Sequence, residues 1–184
     1  MDASTTAPRP RPSRAKAALM DRLIRVDHAG EYGAKRIYEG QLAVLGHGRK
    51  GDLLRHMAEQ EAEHLETFET LIRERKVRPS VLHPVWHVAG FALGAATALM
   101  GERAAMACTV AVEEVIDEHY AAQLEALGDD EPELVEKIER FRAEELEHRD
   151  IGLENEAELT PGYRALSAAI KAGSRAAIWT AERF

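Results

Sequence analysis

The sequence predicts an all-α protein: a four-helix bundle with a long crossover helix and an additional C-terminal helix. Three observations predict it. Val, Ile and Thr nowhere alternate with polar residues, and no Asn-Gly or Asp-Gly hairpin turn occurs. Apolar residues recur at steps of three and four, the spacing of one helix face. Breakers divide the chain into helix-length pieces, and two pairs of those pieces repeat each other.

The elements follow in order. Residues 1–18, "MDASTTAPRPRPSRAKAA", are rich in Pro, Arg and small residues and read as a disordered arm. No apolar run follows that would make them a secretory signal. A first helix is expected over 19–45 and ends at "LGHGRKG"; a second, over 52–74, ends at "RKVRPS". A crossover helix over 82–100 and a long helix over 102–127 come next, the latter stopped by "LGDDEP". There Asp130 is the expected N-cap of a helix over 131–157, with Pro132 in its first turn. "LTPG" precedes the last helix, 162–181. Residues 19–184 form one domain, built from helix pairs at about 19–74 and 102–157.

Within "EQEAEHLETF" (59–68), the helical phase separates the charges. Met57, Glu61, His64, Phe68 and Leu71 step by 4, 3, 4 and 3, so Glu61 and His64 occupy core positions. Glu59, Glu63 and Glu66 fall on the solvent side. A buried, unpartnered carboxylate costs several kcal/mol or more and tends to stay protonated, so water or a cation is expected beside Glu61.

The pattern occurs twice. "EYGAKRIYEGQLAVLG" (31–46) and "EEVIDEHYAAQLEALG" (113–128) share Glu, Tyr, Gln, Leu, Leu and Gly at one offset of 82 residues. "AEQEAEHL" (58–65) matches "RAEELEHR" (142–149) at offset 84, pairing Glu61 with Glu145 and His64 with His148. Leu134, Ile138, Phe141, Glu145 and His148 repeat the 4, 3, 4, 3 stepping. The first helix of each half also carries a glutamate on its inner stripe: Ile24, Glu31, Tyr38, Leu42 and Leu45 in one, Met106, Val110, Glu113, Tyr120, Leu124 and Leu127 in the other.

Each half therefore aims one Glu and one Glu-x-x-His at the bundle axis, the donor set of a dinuclear carboxylate site in a ferritin-like four-helix bundle. Four carboxylates neutralise two divalent ions. A Glu and a His three residues apart lie about 5–6 Å apart on one face and reach the same or adjacent ions. Oxygen-rich ligation without thiolate suits iron or manganese better than structural zinc. Cys108 is the only cysteine, so there is neither an intrachain disulfide nor a Cys-x-x-Cys site. With 32 acidic against 24 basic residues and no basic stripe, no nucleic-acid partner is expected. Chemistry alone leaves open a monooxygenase, another ferritin-like oxidase such as a manganese catalase or ferroxidase, and a non-enzymatic iron-binding protein.

"RVDHAGEYGAKRIYEGQLAVLG", "MACTVAVEEVIDEHYAAQL", "FRAEELEHRDIGLENEAEL" and "SRAAIWTAERF" resemble the demethoxyubiquinone hydroxylase family of ubiquinone biosynthesis, over roughly residues 19–184. The resemblance implies two irons held by Glu31, Glu61, His64, Glu113, Glu145 and His148, with Glu61 and Glu145 bridging. It implies a monooxygenation: with dioxygen as co-substrate, a hydroxyl is added to the ring of a polyprenyl methoxy-methyl-benzoquinol. NADH is the expected ultimate electron donor, although the chain has no nicotinamide or flavin motif: "GFALGAATALMG" lacks a preceding strand. A homo-oligomer and protein partners from ubiquinone biosynthesis are candidate associations that the sequence does not fix, and a long-tailed substrate leads to the expectation of a peripheral place on a membrane. That membrane is the cytoplasmic face of the inner membrane in a bacterium or the mitochondrial inner membrane in a eukaryote.

Residues 79–101 contain no Asp, Glu, Lys or Arg. They could span a bilayer by length, yet His83, Pro84 and His87 make a poor span. The expectation is a crossover with one face in the membrane interface, using Trp86, Val88 and Phe91, and sharing that surface with Tyr163, Leu166, Ile170, Ala177 and Trp179 of the last helix. Tyr38 and Tyr120 are candidate hydrogen-bond donors to the ligands, and Asp27, His28 and His119 are candidates for supporting them.

Overall fold

The computed structural model describes residues 13–128 and 131–184, and among them contains no strand. Its helices are α1 (Arg14–Leu45), α2 (Gly51–Arg75), α3 (His83–Leu99), α4 (Glu102–Leu127), α5 (Pro132–Glu154) and α6 (Tyr163–Ala181), with a 3-10 turn at Ala157–Leu159. Residues 1–12 of the expected arm at 1–18, and the expected cap Asp130, lie outside the described residues, whereas residues 14–18 of that arm are helical and belong to α1.

Helix ends follow local chemistry. Ser13 caps α1 by accepting the Lys16 amide at 3.3 Å, so the helix begins five residues earlier than its apolar stripe suggests. Gly101, at φ 119°, breaks the chain between α3 and α4 in a conformation that favours glycine. Asn155 ends α5 earlier than expected, because the 3-10 turn takes over before α6.

Helices α1 and α2 pack as one hairpin and α4 and α5 as another; α3 lies along α1 and α6 along α4. The α1–α2, α3–α4 and α5–α6 connections meet at one end, around Lys50, Gly101 and Thr160. At the other end Arg25 reaches the carbonyls of Arg78 and Glu182, and the Val81 amide donates to Phe184. The four main helices thus run up, down, down and up, with α3 as the crossover.

Glycine sets the seam between α1 and α3. A Cβ on Gly90 would lie 2.8 Å from the Gly33 carbonyl oxygen and 2.9 Å from Arg36 Cβ. One on Gly94 would strike the Ile37 carbonyl, and one on Gly40 the Phe91 carbonyl. The backbones therefore touch, and α3 is rotated so that its glycine edge faces α1. This rotation corrects the expected outer face. Trp86 packs on Val26, Ala29 and Ala181, and Phe91 is half-buried with the Arg36 guanidinium 4.9 Å from its ring centre. The exposed face is Val81, Val85, Val88, Leu99 and Met100, with Val88 67% and Leu99 76% exposed. On α6, Tyr163 and Leu166 pack against the core and Ile170 is buried, which leaves Trp179 as the exposed aromatic of that helix.

Candidate metal centre

The inner stripes of the four main helices are buried as their periodicity predicts. Met57 and Phe68 flank Glu61 and His64 on α2, and Phe141 precedes Glu145 and His148 on α5, all at 0% exposure. Two apolar clusters enclose the polar layer. One holds Ile24, Phe68, Tyr120, Ile138 and Phe141; the other holds Tyr38, Leu54, Met57, Met106 and Val110.

Between them the structure brings all six predicted residues together, none more than 2% exposed. Potential ligand atoms of Glu31, Glu61, His64 and Glu145 lie within 4.8 Å of one another, and so do those of Glu61, Glu113, Glu145 and His148. Glu61 and Glu145 belong to both groups. His64 Nδ1 is 3.1 Å from Glu145 Oε1 and 3.5 Å from Glu31 Oε2. His148 Nδ1 is 3.3 Å from both Glu61 Oε1 and Glu145 Oε2.

The tyrosines bond across the repeat. Tyr38 Oη donates to Glu113 Oε1 at 3.0 Å, and Tyr120 Oη donates to Glu31 Oε1. Each tyrosine sits two turns from its own helix's glutamate, yet the antiparallel partner brings the other half's glutamate opposite it. Asp27 and His119 do not support the ligands in this way. With Gln123 they form a separate group, in which Gln123 Nε2 donates to Asp27 Oδ1 at 2.5 Å and His119 Nε2 lies 3.3 Å from the same oxygen. His28 stacks on His83, ring centres 5.9 Å apart.

Two residues that the sequence reading passes over hold the imidazoles. His64 Nε2 meets Glu144 Oε2 at 2.5 Å, and His148 Nε2 meets Gln60 Oε1 at 3.0 Å. Gln60 and Glu144 precede the two inward glutamates and are repeat mates at the same offset of 84. They lie off the apolar stripe, so periodicity assigns them to solvent; their adjacency to Glu61 and Glu145 in both copies is the signal that was available.

The donor set fits cations. Glu31 Oε2, both Glu61 oxygens, Glu113 Oε2, Glu145 Oε2 and His148 Nδ1 are buried without a well-aligned hydrogen bond among the described residues, and Glu31, Glu61, Glu145 and His148 have only looser imidazole–carboxylate contacts at these atoms. Each such group costs about 1–3 kcal/mol when left unsatisfied. Burial, then repulsion from neighbouring carboxylates, raises the pKa of Glu61 and Glu113 well above the ordinary value; burial also raises Glu31. Burial would lift Glu145 too, but hydrogen bonds from His148 and His64 outweigh it and hold that carboxyl at about 2. Burial opposes charge on His64, yet hydrogen bonds to Glu145 and Glu31 carry it up to about 12. Two dications would replace these shared protons.

A pH dependence follows for the metal-free protein. Above the ordinary glutamate value of 4.5, the native state still holds protons on Glu31, Glu61 and Glu113 that the unfolded chain has released. The contribution of these three groups is therefore fully present below that value and is lost as the pH rises through their raised pKa values, whereas Glu145, held low, contributes above 4.5 and loses that contribution as the pH falls towards about 2. Above 6.5 the raised His64 adds a loss of the same sign. Loaded protein should show the reverse trend in this range, because metal binding requires deprotonated ligands. Thermal melts of both forms between about pH 5 and 8 check this; parallel curves would contradict it.

Comparison with known proteins agrees with the site's chemistry. The family model described as ubiquinone biosynthesis protein COQ7 matches residues 18–181. The chain is 60% identical over 168 residues to the 3-demethoxyubiquinol 3-hydroxylase of Rhodospirillum rubrum, covering 91% of this chain and 79% of that protein. It is 55% identical over 170 residues to the human NADPH-dependent 3-demethoxyubiquinone 3-hydroxylase, mitochondrial, covering 90% and 78%. It is 43% identical over 188 residues to the 5-demethoxyubiquinone hydroxylase, mitochondrial, of Saccharomyces cerevisiae, covering 93% and 81%. A helical bundle with a buried Glu and His cluster, matched along nearly its whole length, places the chain in the ubiquinone biosynthesis protein COQ7 family.

Proposed function

We propose that this protein is a 3-demethoxyubiquinol 3-hydroxylase: a di-iron monooxygenase that hydroxylates the ring of a polyprenyl methoxy-methyl-benzoquinol. The observation that carries the reading is the pair of overlapping ligand groups sharing Glu61 and Glu145, in a chain 60% identical to a protein of that name. The relatives' names favour a hydroxylase over a manganese catalase, a ferroxidase or an iron store.

Glu31, Glu61, His64 and Glu145 would hold one iron, and Glu113, Glu145, His148 and Glu61 the other. When bound, the irons supply the electrons and the open coordination positions that activate dioxygen. The protein's own groups fix the geometry. Tyr120 and Tyr38 restrain one oxygen each of Glu31 and Glu113, leaving the other oxygen of each for metal. Glu144 and Gln60 hold each imidazole with Nδ1 turned inward, which sets the tautomer. The apolar clusters on either side exclude water, which suppresses side reactions of an activated oxidant.

Adding one oxygen atom to a ring C–H, with the second leaving as water, requires two electrons and two protons beyond dioxygen. We assign their ultimate source to a reduced nicotinamide, and the human and Dictyostelium discoideum relatives are named as NADPH-dependent. The electrons would enter through the quinol ring. Among the described residues no helix is long and apolar enough to cross a membrane. We assign the exposed face of α3 to the lipid interface, where a long-tailed quinol resides. A groove of about 340 Å³, lined by Gly30, Ile37, Trp86, Leu93, Val112 and Ile178, includes the chain neighbours of Glu31 and Glu113 and would take the prenyl tail.

Quinone profiling tests the function. A strain lacking this protein should accumulate the demethoxy intermediate, and restoring the chain should return ubiquinone. Normal ubiquinone in the deletion strain would reject the assignment.

A further inference from the structure

At the Nε2 atoms of the two imidazoles, the repeat mates that hold them differ in charge. His64 gives its Nε2–H to the carboxylate of Glu144 at 2.5 Å, whereas His148 gives its Nε2–H to the amide oxygen of Gln60 at 3.0 Å. The other Glu144 oxygen, Oε1, forms an ion pair with Arg140 Nε at 3.9 Å, too long for a hydrogen bond, so Oε2 serves the imidazole alone. An anionic acceptor draws the proton of a ligand imidazole toward itself and makes Nδ1 a stronger donor; a neutral amide does so far less. The remaining donors match across the repeat: Glu31 with Glu113, Glu61 with Glu145, and Tyr120 with Tyr38 as their restraints.

We infer that Glu144 and Gln60 make the two metal positions unequal: the position beside His64 binds its ion more tightly and fills first, and the position beside His148 fills second. Glu144 and Gln60 are positioning residues that act through the histidines. This inference rests on the di-iron reading of the six ligands and adds to it an order of filling and a tighter position. It distinguishes two positions with matching ligand sets by the acceptor behind each imidazole, an oxygen anion at one and an amide at the other.

Cobalt(II) added to the metal-free, full-length protein provides the test, because its binding is read by absorbance and calorimetry without turnover. Wild type should take two equivalents in two resolved steps. Glu144→Gln should weaken the first step about tenfold and bring the two steps together, within the range seen for partners of metal-bound histidines. Gln60→Glu should tighten the second step by a similar factor. The double variant Gln60→Glu/Glu144→Gln should restore the stepped isotherm, with His148 now holding the tighter ion. Rescue by the swap separates an electronic effect from a packing one, since a purely structural role for Glu144 predicts that the swap stays impaired. Two equivalents bound in one step by wild type, an isotherm unmoved by Glu144→Gln, or failure of the swap to rescue would each overturn the inference and leave the metal centre standing. Wild-type protein that binds no cobalt at all would instead remove the di-iron reading beneath it.

Discussion

Replacing Glu61 or Glu145 with alanine is expected to strip the protein of both irons and to lower turnover by at least about 100-fold. Each side chain belongs to both ligand groups, so its loss opens both positions at once. The surviving groups cannot compensate. In either variant Glu31 and Glu113 remain buried in an apolar layer, where burial already favours their protonated forms. Glu63→Ala is the control. It lies two residues from Glu61, is exposed, and pairs with Arg140 at 2.9 Å on the surface. An exposed pair contributes about 0–1 kcal/mol, so iron content and turnover should stay at wild-type values. Iron per chain by elemental analysis and steady-state turnover decide this. A Glu63 variant as damaged as the Glu61 variant would show that the helix is phased wrongly.

Aspartate at both Val85 and Val88 should abolish liposome binding and reduce turnover of a long-tailed quinol by about tenfold or more, while iron content and melting temperature hold. Both valines are exposed, so charge there does not enter the core. Trp86→Asp should behave differently. It places a charge among Val26, Ala29, Ala181 and Ile178, and a buried charge costs several kcal/mol. That variant should melt early and lose iron along with activity. A tail-less, water-soluble quinol separates the two outcomes: the valine double variant should turn it over normally and Trp86→Asp should not. Full liposome binding by the valine double variant would reject the docking face.

Most of the bundle is legible in the sequence because amphipathic contrast phases a helix. On α2 and α5 a charge or an apolar group sits at nearly every position, so the inward turn of Glu61, His64, Glu145 and His148 follows from counting. Residues 79–101 carry no Asp, Glu, Lys or Arg, so the same counting has nothing to phase: Val88 lies on the exposed face as expected, while Trp86 and Phe91 are half-buried against α1. Gly90 and Gly94, one turn apart, mark the edge that meets α1 and are the signal that would have set the rotation. Helix ends shift for local reasons, such as the Ser13 cap, that an apolar stripe does not encode. Which glutamate Tyr38 or Tyr120 serves depends on the partner helix, so spacing within one helix cannot assign it.

The crossed tyrosines and the shared glutamates bear on ancestry. Neither helix pair contains a whole metal position: Glu31, Glu61 and His64 need Glu145 from the other pair, and Glu113, Glu145 and His148 need Glu61. Each tyrosine likewise restrains a carboxylate that its own pair does not supply. A free-standing pair would expose two acids and an imidazole on an otherwise apolar face, with no partner for their charge. Two copies facing each other across a two-fold axis complete both positions at once, as an isologous contact does. A single helix pair of this kind would therefore need a second copy of itself to complete either position, with the two positions on opposite sides of the two-fold axis. In one chain the two copies need not be identical, and Gln60 as the repeat mate of Glu144 is one place where they differ.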